Sequence, residues 1–246
     1  VYKRQEKYGI DTSDEAIRVA VEQHNEVCRL IRAIGDFRKE ANPRVTGYEF
    51  HILTLVSYVA PKHLIVDKLR ETLEEIKTRE PDAADKYRAR VVFVGSEVDD
   101  VDVIRLVEES GAYVCADRFC YGSLPGRDEI LLNDDEDVVK QVCRQVQGRA
   151  QCPRYWDMAK MTGRRDYVAD LAKEYGADGI IYEQMKFCDP WAYERMIGTI
   201  VLRDEHGYPV LAVDRPYSIG SSGQMRTRVQ AFVESIEIKK IQGGKK

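Results

Sequence analysis

The sequence of 246 residues lacks the features that mark several large classes of protein. It has no apolar run close to the roughly 20 residues that cross a bilayer and no signal-peptide pattern, so we expect a cytoplasmic protein that does not enter a membrane. Its net charge of −4 provides no basic surface for nucleic acid. Its composition, 43% hydrophobic and 33% charged, is that of a globular protein with a sizeable core.

The common catalytic and nucleotide-binding motifs are also absent. Neither G-x-G-x-x-G nor G-x-x-x-x-G-K-[ST] occurs, and the turn Val94-Gly95-Ser96 resembles a phosphate-binding loop only superficially. We therefore expect that this chain binds no nucleotide. The motifs H-E-x-x-H and G-x-S-x-G do not occur either, which leaves hydrolase chemistry without support.

Six cysteines are present, and no two of them form a C-x-x-C pair. This spacing excludes zinc-ribbon, thioredoxin and ferredoxin patterns, and an intracellular chain is not expected to carry a disulfide framework. Cys28 and Cys143 fall on predicted helices and are expected in the core. Cys115 and Cys120, near the end of a predicted strand, are more simply structural than a pair of ligands. Cys152, before Pro153, either lines a site or is structural.

The order of predicted elements indicates the fold. Residues 1–89 form a helical region, in which apolar residues recur at helical spacing after a helix start at Thr12 or Ser13. In residues 90–241, short buried strands at 91–95, 112–117, 179–183 and 210–213 alternate with helices. This alternation is typical of βαβ units. It predicts a flavodoxin-like, doubly wound parallel sheet of about four strands, followed by a disordered tail at 242–246.

One cysteine stands in a position that suits a ligand. The apolar run 179–182 predicts a strand, and Asp189 and Pro190 predict the N-cap and first residue of a helix. Cys188 then lies where open α/β sheets bind ligands, and helix N–H groups there favour a thiolate. We therefore predict that Cys188 binds a metal or an iron–sulfur cluster. Phe187 and Trp191 either shield this site from water or simply pack against the sheet.

A second candidate is the run 221–234, which opens the last predicted helix. Gln224, Arg226 and Arg228 cluster at the N-terminal end of this helix, on the same rim as Cys188. Two interpretations remain open. Gln224 and Arg226 contact an anionic ligand or a neighbouring subunit, or the cluster is a solvated first turn with surface salt bridges.

These segments resemble a known family. The segment Phe187-Cys188-Asp189-Pro190, and the run Gly-Gln-Met-Arg-Thr-Arg-Val-Gln-Ala-Phe-Val-Glu at 223–234, are similar to the 2-hydroxyacyl-CoA dehydratase and benzoyl-CoA reductase family. Residues 25–39, 90–96 and 111–117 support the resemblance, which covers most of the chain. The sequences of residues 185–191 and 213–217 are more similar to those of the benzoyl-CoA reductase branch.

The resemblance implies a cofactor and a domain arrangement. Subunits of this family contain two flavodoxin-like domains with helical additions and hold a 4Fe-4S cluster through three cysteines. The last of these cysteines matches Cys188, and the other two belong to an N-terminal domain. Because the chain begins with Val1 and contains no match to that domain, we expect it to be the C-terminal portion of a longer subunit.

The resemblance also implies a reaction and partners. The expected substrate is an acyl-CoA thioester that is reduced by one electron, and cysteine-ligated clusters reach the low potentials that this requires. The expected partners are a paralogous iron–sulfur subunit, an ATP-hydrolysing activator and a ferredoxin-type donor. The reaction is the dearomatising reduction of benzoyl-CoA or, alternatively, the dehydration of an (R)-2-hydroxyacyl-CoA. An alternative from another class is an α/β module that only associates subunits.

Overall fold

The computed structural model describes residues 6–82, 86–149, 151–155, 157–217 and 222–243. Within these residues four strands form one parallel sheet in the order β2-β1-β3-β4. The strands are β1 (Ala89–Gly95), β2 (Ala112–Phe119), β3 (Gly179–Met185) and β4 (Val210–Arg215). This architecture confirms the predicted α/β class and is consistent with a flavodoxin-like fold.

Helices surround the sheet and precede it. They are α1 (Asp14–Asp36), α2 (Gly47–Val59), α3 (Lys62–Thr78), α4 (Val101–Glu109), α5 (Val138–Arg149), α6 (Met158–Glu174), α7 (Asp189–Asp204) and α8 (Ser222–Gly243). None of the helices in the described residues combines the length and the hydropathy needed to cross a bilayer.

Local sequence signals explain where the first helices begin. Ser13 caps α1 by accepting a hydrogen bond from the backbone N–H of Ala16, one of the two predicted positions. Thr46 and Glu49 form a reciprocal capping box at the start of α2. α1, α2 and α3 then bury a core of their own, which includes Ile31, Ile34, Phe50, Leu69 and Ile76.

The sheet buries both of its faces because helices cover each side. On one face, Phe93 and Ile181 pack with apolar residues of α4 and α8. On the other face, Ile180 and Tyr182 pack with residues of α6 and α7, among them Trp191. Side chains alternate between the faces along each strand, so one strand supplies both cores. Strands buried on both faces read as continuous apolar runs, which is why the sequence revealed them.

The helical region is fixed to the α/β part by specific contacts. The carboxylate of Glu108 on α4 accepts hydrogen bonds from the backbone N–H groups of Gly47 and Tyr48 at 2.8 and 3.1 Å. The hydroxyl of Tyr113 donates to the carbonyl of Val45 at 2.8 Å. The first strand begins at Ala89, next to the predicted boundary. A division into domains at 89/90 stays a prediction.

Three local expectations differ from the structure. The N-cap of α7 is Cys188 rather than Asp189, because the carbonyl of Cys188 accepts the bond from the N–H of Ala192. Cys143 is exposed, since it lies on the solvent side of α5, whereas Cys28 and Cys115 are buried as expected. Gln242 and Gly243 belong to α8, and the rest of the expected tail, 244–246, lies outside the described residues.

Candidate functional site

The turn after β3 holds Cys188 at the carboxyl edge of the sheet. The N–H of Lys186 donates to the carbonyl of Arg215, which extends the pairing of β3 with β4 by one residue. The N–H of Cys188 donates to the carbonyl of Met185 and closes the turn. Between them, Phe187 adopts φ of +71°, a left-handed conformation that bulky residues rarely take. Backbone hydrogen bonds on either side of Phe187 therefore hold the turn that carries Cys188.

The side chain of Cys188 is half-buried and free to bind a ligand. Although Cys188 is the N-cap residue of α7, its thiol forms no capping hydrogen bond. The first N–H groups of α7 have no partner within the helix, and they favour negative charge at this position. The start of α7 therefore suits a negatively charged ligand.

Two further cysteines join Cys188. Cys120 follows β2 and Cys152 precedes α6, and both pack with Cys188 against the apolar residues that include Trp191. We name these three thiols around Trp191 the cysteine group. Burial raises the pKa of the Cys120 thiol to about 11, an effect that Trp191 opposes and that the nearby Cys152 and Cys188 increase. The sequence left Cys152 open and favoured a structural role for Cys120, because their convergence depends on three distant segments.

An exposed arginine lies beside the thiols. The guanidinium of Arg154 donates to Sγ of Cys152 at 3.5 Å, and this contact is the main cause that raises the pKa of Arg154. Cys188 and Cys120 are close enough to raise it further. The positive charge of Arg154 therefore lies next to the three thiols.

The two aromatic residues next to Cys188 lie in different surroundings. Trp191 is only 2% exposed and meets the ring of Tyr182 edge-on, with the ring centroids 6.1 Å apart. Its indole N–H lies near Cys120, yet it is buried without a hydrogen bond of good geometry to any described residue. Phe187 is 96% exposed. Trp191 thus covers the apolar side of the cysteine group, and the proposed shielding by Phe187 stays a prediction.

A small apolar pocket of about 260 Å³ adjoins the cysteine group between α6 and α7. Its wall includes Pro153, Pro190 and Tyr193. Glu194 is buried and pairs with Arg164 and Arg165, both at 3.0 Å, which locks α6 to α7 beneath the pocket. This pocket can receive an apolar group beside Cys152 and Cys188.

A buried carboxylate supports the same edge from the other face of the sheet. Glu183, fully buried on β3, accepts hydrogen bonds from the N–H and the hydroxyl of Ser96 at 3.0 and 2.8 Å. Nε of Arg215 lies 2.9 Å from it as an ion pair, without the geometry of a hydrogen bond. Burial raises the pKa of Glu183 to about 7. A charged residue inside an apolar strand run was the available signal in the sequence, but Glu183 was not predicted from it.

Gln224 and Arg226 lie on the face of the sheet that α8 covers, opposite α7 and Cys188. Arg226 forms a 2.7 Å ion pair with Glu109 of α4, and Arg228 donates to the carbonyl of Ala212. Gln224 is exposed. The ion pair is what the salt-bridge interpretation expects. Contact of Gln224 and Arg226 with a ligand or a subunit stays a prediction.

The ligands available in the described ranges do not complete a metal site. No group of three or more His, Cys, Asp or Glu residues is arranged there to hold a metal ion. The cysteine group as it stands is therefore not a complete ligand set for a cluster. Cys188 fits the role of a single ligand, with its thiol free at the edge of the sheet.

Comparison with known proteins identifies the family. The family model described as 2-hydroxyglutaryl-CoA dehydratase, D-component, matches residues 2–236. The chain belongs to this family. The resemblance inferred from the Phe-Cys-Asp segment and the run 223–234 is thereby confirmed.

Individual relatives carry both names that the resemblance suggested. The chain is 26% identical over 230 residues to the (R)-phenyllactyl-CoA dehydratase beta subunit of Clostridium sporogenes. It is 25% identical over 233 residues to the (R)-2-hydroxyglutaryl-CoA dehydratase beta subunit of Acidaminococcus fermentans, and 22% identical over 235 residues to a benzoyl-CoA reductase subunit of Thauera aromatica. These matches cover 93–94% of this chain and 59% of each relative. The chain thus spans about three fifths of the length of these relatives.

Proposed function

We propose that this chain is part of the iron–sulfur subunit of an oxygen-sensitive enzyme that reduces an acyl-CoA thioester by one-electron chemistry. The observation that carries the proposal is the position of Cys188. It occupies the Phe-Cys-Asp segment, its thiol makes no capping bond, and it lies at the start of α7 at the carboxyl edge of the sheet. This is where open α/β sheets bind their ligands.

The residues of this chain would hold and surround a 4Fe-4S cluster rather than build it alone. When bound, such a cluster would supply the low-potential electron. Cys188 would bind one iron, and the remaining cysteine ligands would come from outside the described residues, in keeping with the incomplete set found among them. The free N–H groups of α7 and the guanidinium of Arg154 would stabilise the negative charge of thiolate ligands. Trp191 would keep water from the apolar side.

The substrate is the second part of the proposal. Names of relatives include dehydratases at 26% and 25% identity and a benzoyl-CoA reductase subunit at 22%. On this ground we place dehydration of an (R)-2-hydroxyacyl-CoA first and dearomatising reduction of benzoyl-CoA second, although the sequence segments favoured the reductase. The relatives are named as subunits, which supports a multi-subunit enzyme. A paralogous subunit, an ATP-hydrolysing activator and a ferredoxin-type donor are its proposed partners.

Iron analysis of the full-length subunit, purified without oxygen, tests the role of Cys188. We expect iron and sulfide in the wild type, loss of most of the iron in Cys188→Ser, and no loss in Cys143→Ser. Cys143 is a suitable control because it is exposed on α5 and is not among the residues that pack with Trp191. Iron content that is unchanged in Cys188→Ser would overturn the ligand assignment. A wild type without iron or cluster absorption would favour the subunit-association module.

An anaerobic assay tests the reaction. The assembled enzyme is supplied with activator, ATP and a reductant, and its products are compared for an (R)-2-hydroxyacyl-CoA and for benzoyl-CoA. An enoyl-CoA product from the first substrate supports the dehydratase, and a dienoyl-CoA product from the second supports the reductase. Turnover of neither substrate by an iron-loaded enzyme would contradict both assignments of the substrate.

A further inference from the structure

A larger cavity of about 860 Å³ opens between the helical region and the α/β part. Its wall is formed by α1, the end of β2, the segment 123–128, and the facing parts of α5 and α6. Nine Lys and Arg residues line it, against four Asp and Glu residues. We name it the cationic cavity. Its volume lies in the range of small-molecule sites.

Some of these charges are compensated within the protein. Arg38 and Arg127 share the buried carboxylate of Asp117, at 3.2 and 3.4 Å. Arg164 pairs with Glu194 behind the wall. Arg29 and Arg32 also pair with Glu129, and Lys39 with Glu174, so six of the nine lining cations have a carboxylate partner.

Three lining cations have no carboxylate at ion-pair distance in the described part of the chain. Arg149 donates to the carbonyl oxygen of Asp128 and to the side-chain amide oxygen of Gln145. Nζ of Lys160 lies 5.0 Å from the ring centre of Tyr155. Arg118 donates to the carbonyl of Ser123, and its guanidinium lies 4.2 Å from the ring centre of Tyr167. The cavity therefore carries positive charge that the described residues leave uncompensated.

The burial of Arg118 shows that this positive charge costs free energy. It is only 5% exposed, and its Nε is buried with no hydrogen-bond partner among the described residues. Burial lowers its pKa, since the charged form has lost its hydration. Nε of Arg38 and of Arg164, which also line the cavity, is likewise buried and unpaired in that part of the chain. These nitrogens are buried with no hydrogen bond in that part of the chain, which adds to the free-energy cost of holding cations around the cavity.

We propose that the cationic cavity binds the phosphate groups of a ligand, with Arg118, Arg149 and Lys160 as the cations that meet them. Guanidinium groups suit phosphate because they form paired, charge-assisted hydrogen bonds. The phosphates are those of a CoA thioester or of free inorganic diphosphate. The CoA source alone rests on the proposed function, and one feature supports it. Arg164 lines both this cavity and the apolar pocket beside the cysteine group, as a ligand with a phosphate end and an apolar end would require.

Calorimetric titration of the full-length subunit tests the proposal with three probes: CoA, inorganic diphosphate and pantetheine, which carries no phosphate. We expect CoA to bind at least about tenfold more tightly than pantetheine, and added salt to weaken it. Lys160→Gln should weaken CoA and diphosphate about tenfold, and Arg118→Gln at least as much. Lys160 has no ion pair to lose among the described residues, so its variant keeps the test valid even where Arg118→Gln does not fold. Arg203→Gln is the matched control, because Arg203 is exposed at the end of α7 and pairs with Asp204.

Each outcome decides a separate point. Binding of both CoA and diphosphate that depends on Lys160 supports the site and its CoA source. Binding of diphosphate without CoA supports the phosphate site and overturns the CoA source. Absence of phosphate binding, or binding that Arg203→Gln weakens as much as Lys160→Gln, overturns the proposal. Iron content is not part of this readout, so phosphate binding by a subunit without iron would keep this proposal while overturning the proposed function.

Discussion

The cysteine group and the cationic cavity are neighbours, but they differ in where their charged groups lie. In the cysteine group, three thiols lie against apolar residues, and the nearby cation, Arg154, is at the surface. In the cationic cavity, charged groups form the wall, and one of them, Arg118, is buried without a carboxylate partner among the described residues. The first arrangement suits soft, thiolate-bound metal, and the second suits phosphate.

The contrast is sharpest at the end of β2. Asp117 and Cys120 are three residues apart, yet Asp117 belongs to the cavity and Cys120 to the cysteine group. Burial alone would raise the pKa of Asp117, but Arg127, Arg38 and His51 outweigh it and hold that pKa at about 2. The same burial, with no cation paired to the thiol in the described structure, raises the pKa of Cys120. Two residues only three positions apart, one on β2 and one just after it, therefore have pKa shifts of opposite sign because different side chains pack against them.

The largest expected effect comes from breaking the charge pairing of the cavity. Asp117→Asn leaves Arg38 and Arg127 buried without their shared carboxylate, so we expect a loss of about 3–5 kcal/mol in the free energy of unfolding. Urea denaturation measures it. Asp128→Asn is the control, because Asp128 is exposed and 3.8 Å from Arg32, and should cost less than about 1 kcal/mol. Equal losses in the two variants would contradict the difference between buried and exposed pairs.

The next effect concerns Glu183, at the carboxyl edge of the sheet. The folded protein raises the pKa of Glu183 from 4.5 to about 7, so between these values it retains a proton that the unfolded chain has lost. Stability should therefore fall as pH rises through this window, by at most about 1.4 kcal/mol per pH unit from this group. Glu183→Gln should remove that part of the slope, as measured by denaturation from pH 5 to pH 8. Glu109→Gln, at an exposed ion pair, should keep it.

A reactivity measurement tests the cysteine group. Since burial raises the pKa of Cys120 from 9 to about 11, its thiolate fraction near pH 8 should be about 100-fold below that of an ordinary thiol. In the folded chain without iron, iodoacetamide should therefore modify the exposed Cys143 far faster than Cys120, as followed by mass spectrometry. In urea the two rates should converge. Rapid modification of Cys120 in the folded chain would show that the thiol is not buried as described.

The smallest effect lies on α6, which contributes to both regions. A Cβ at Gly163 would meet no atom of the described residues within 4 Å, so Gly163→Ala should stabilise the helix by about 0.5–1 kcal/mol. At Gly198 on α7, a Cβ would lie 2.8 Å from the ring of Tyr182, and Gly198→Ala should destabilise the protein. Thermal unfolding compares the two variants. Destabilisation by Gly163→Ala would mean that the wall of the cavity is tighter than the structure shows.

The sequence revealed most of the α/β elements because their signals are local. Apolar runs located the strands, and Asp189 with Pro190 placed the start of α7 within one residue. Cys188 was found for the same reason, since its place depends on the strand before it and the helix after it. Cys143 was misplaced because a helical position alone does not say which side of the helix packs, and the side that holds Cys143 faces solvent.

The amino-acid sequence by itself determined the alternation of strands and helices, the family, and the position of Cys188 at the end of a strand. The tertiary structure decided that Cys120 and Cys152 join Cys188 around Trp191, and that cations from α1, β2, α5 and α6 surround one cavity. The physical reason is the distance along the chain over which each interaction acts. Hydrophobic periodicity and helix capping act over a few residues, whereas burial and electrostatic pairing depend on which distant segments the fold brings into contact.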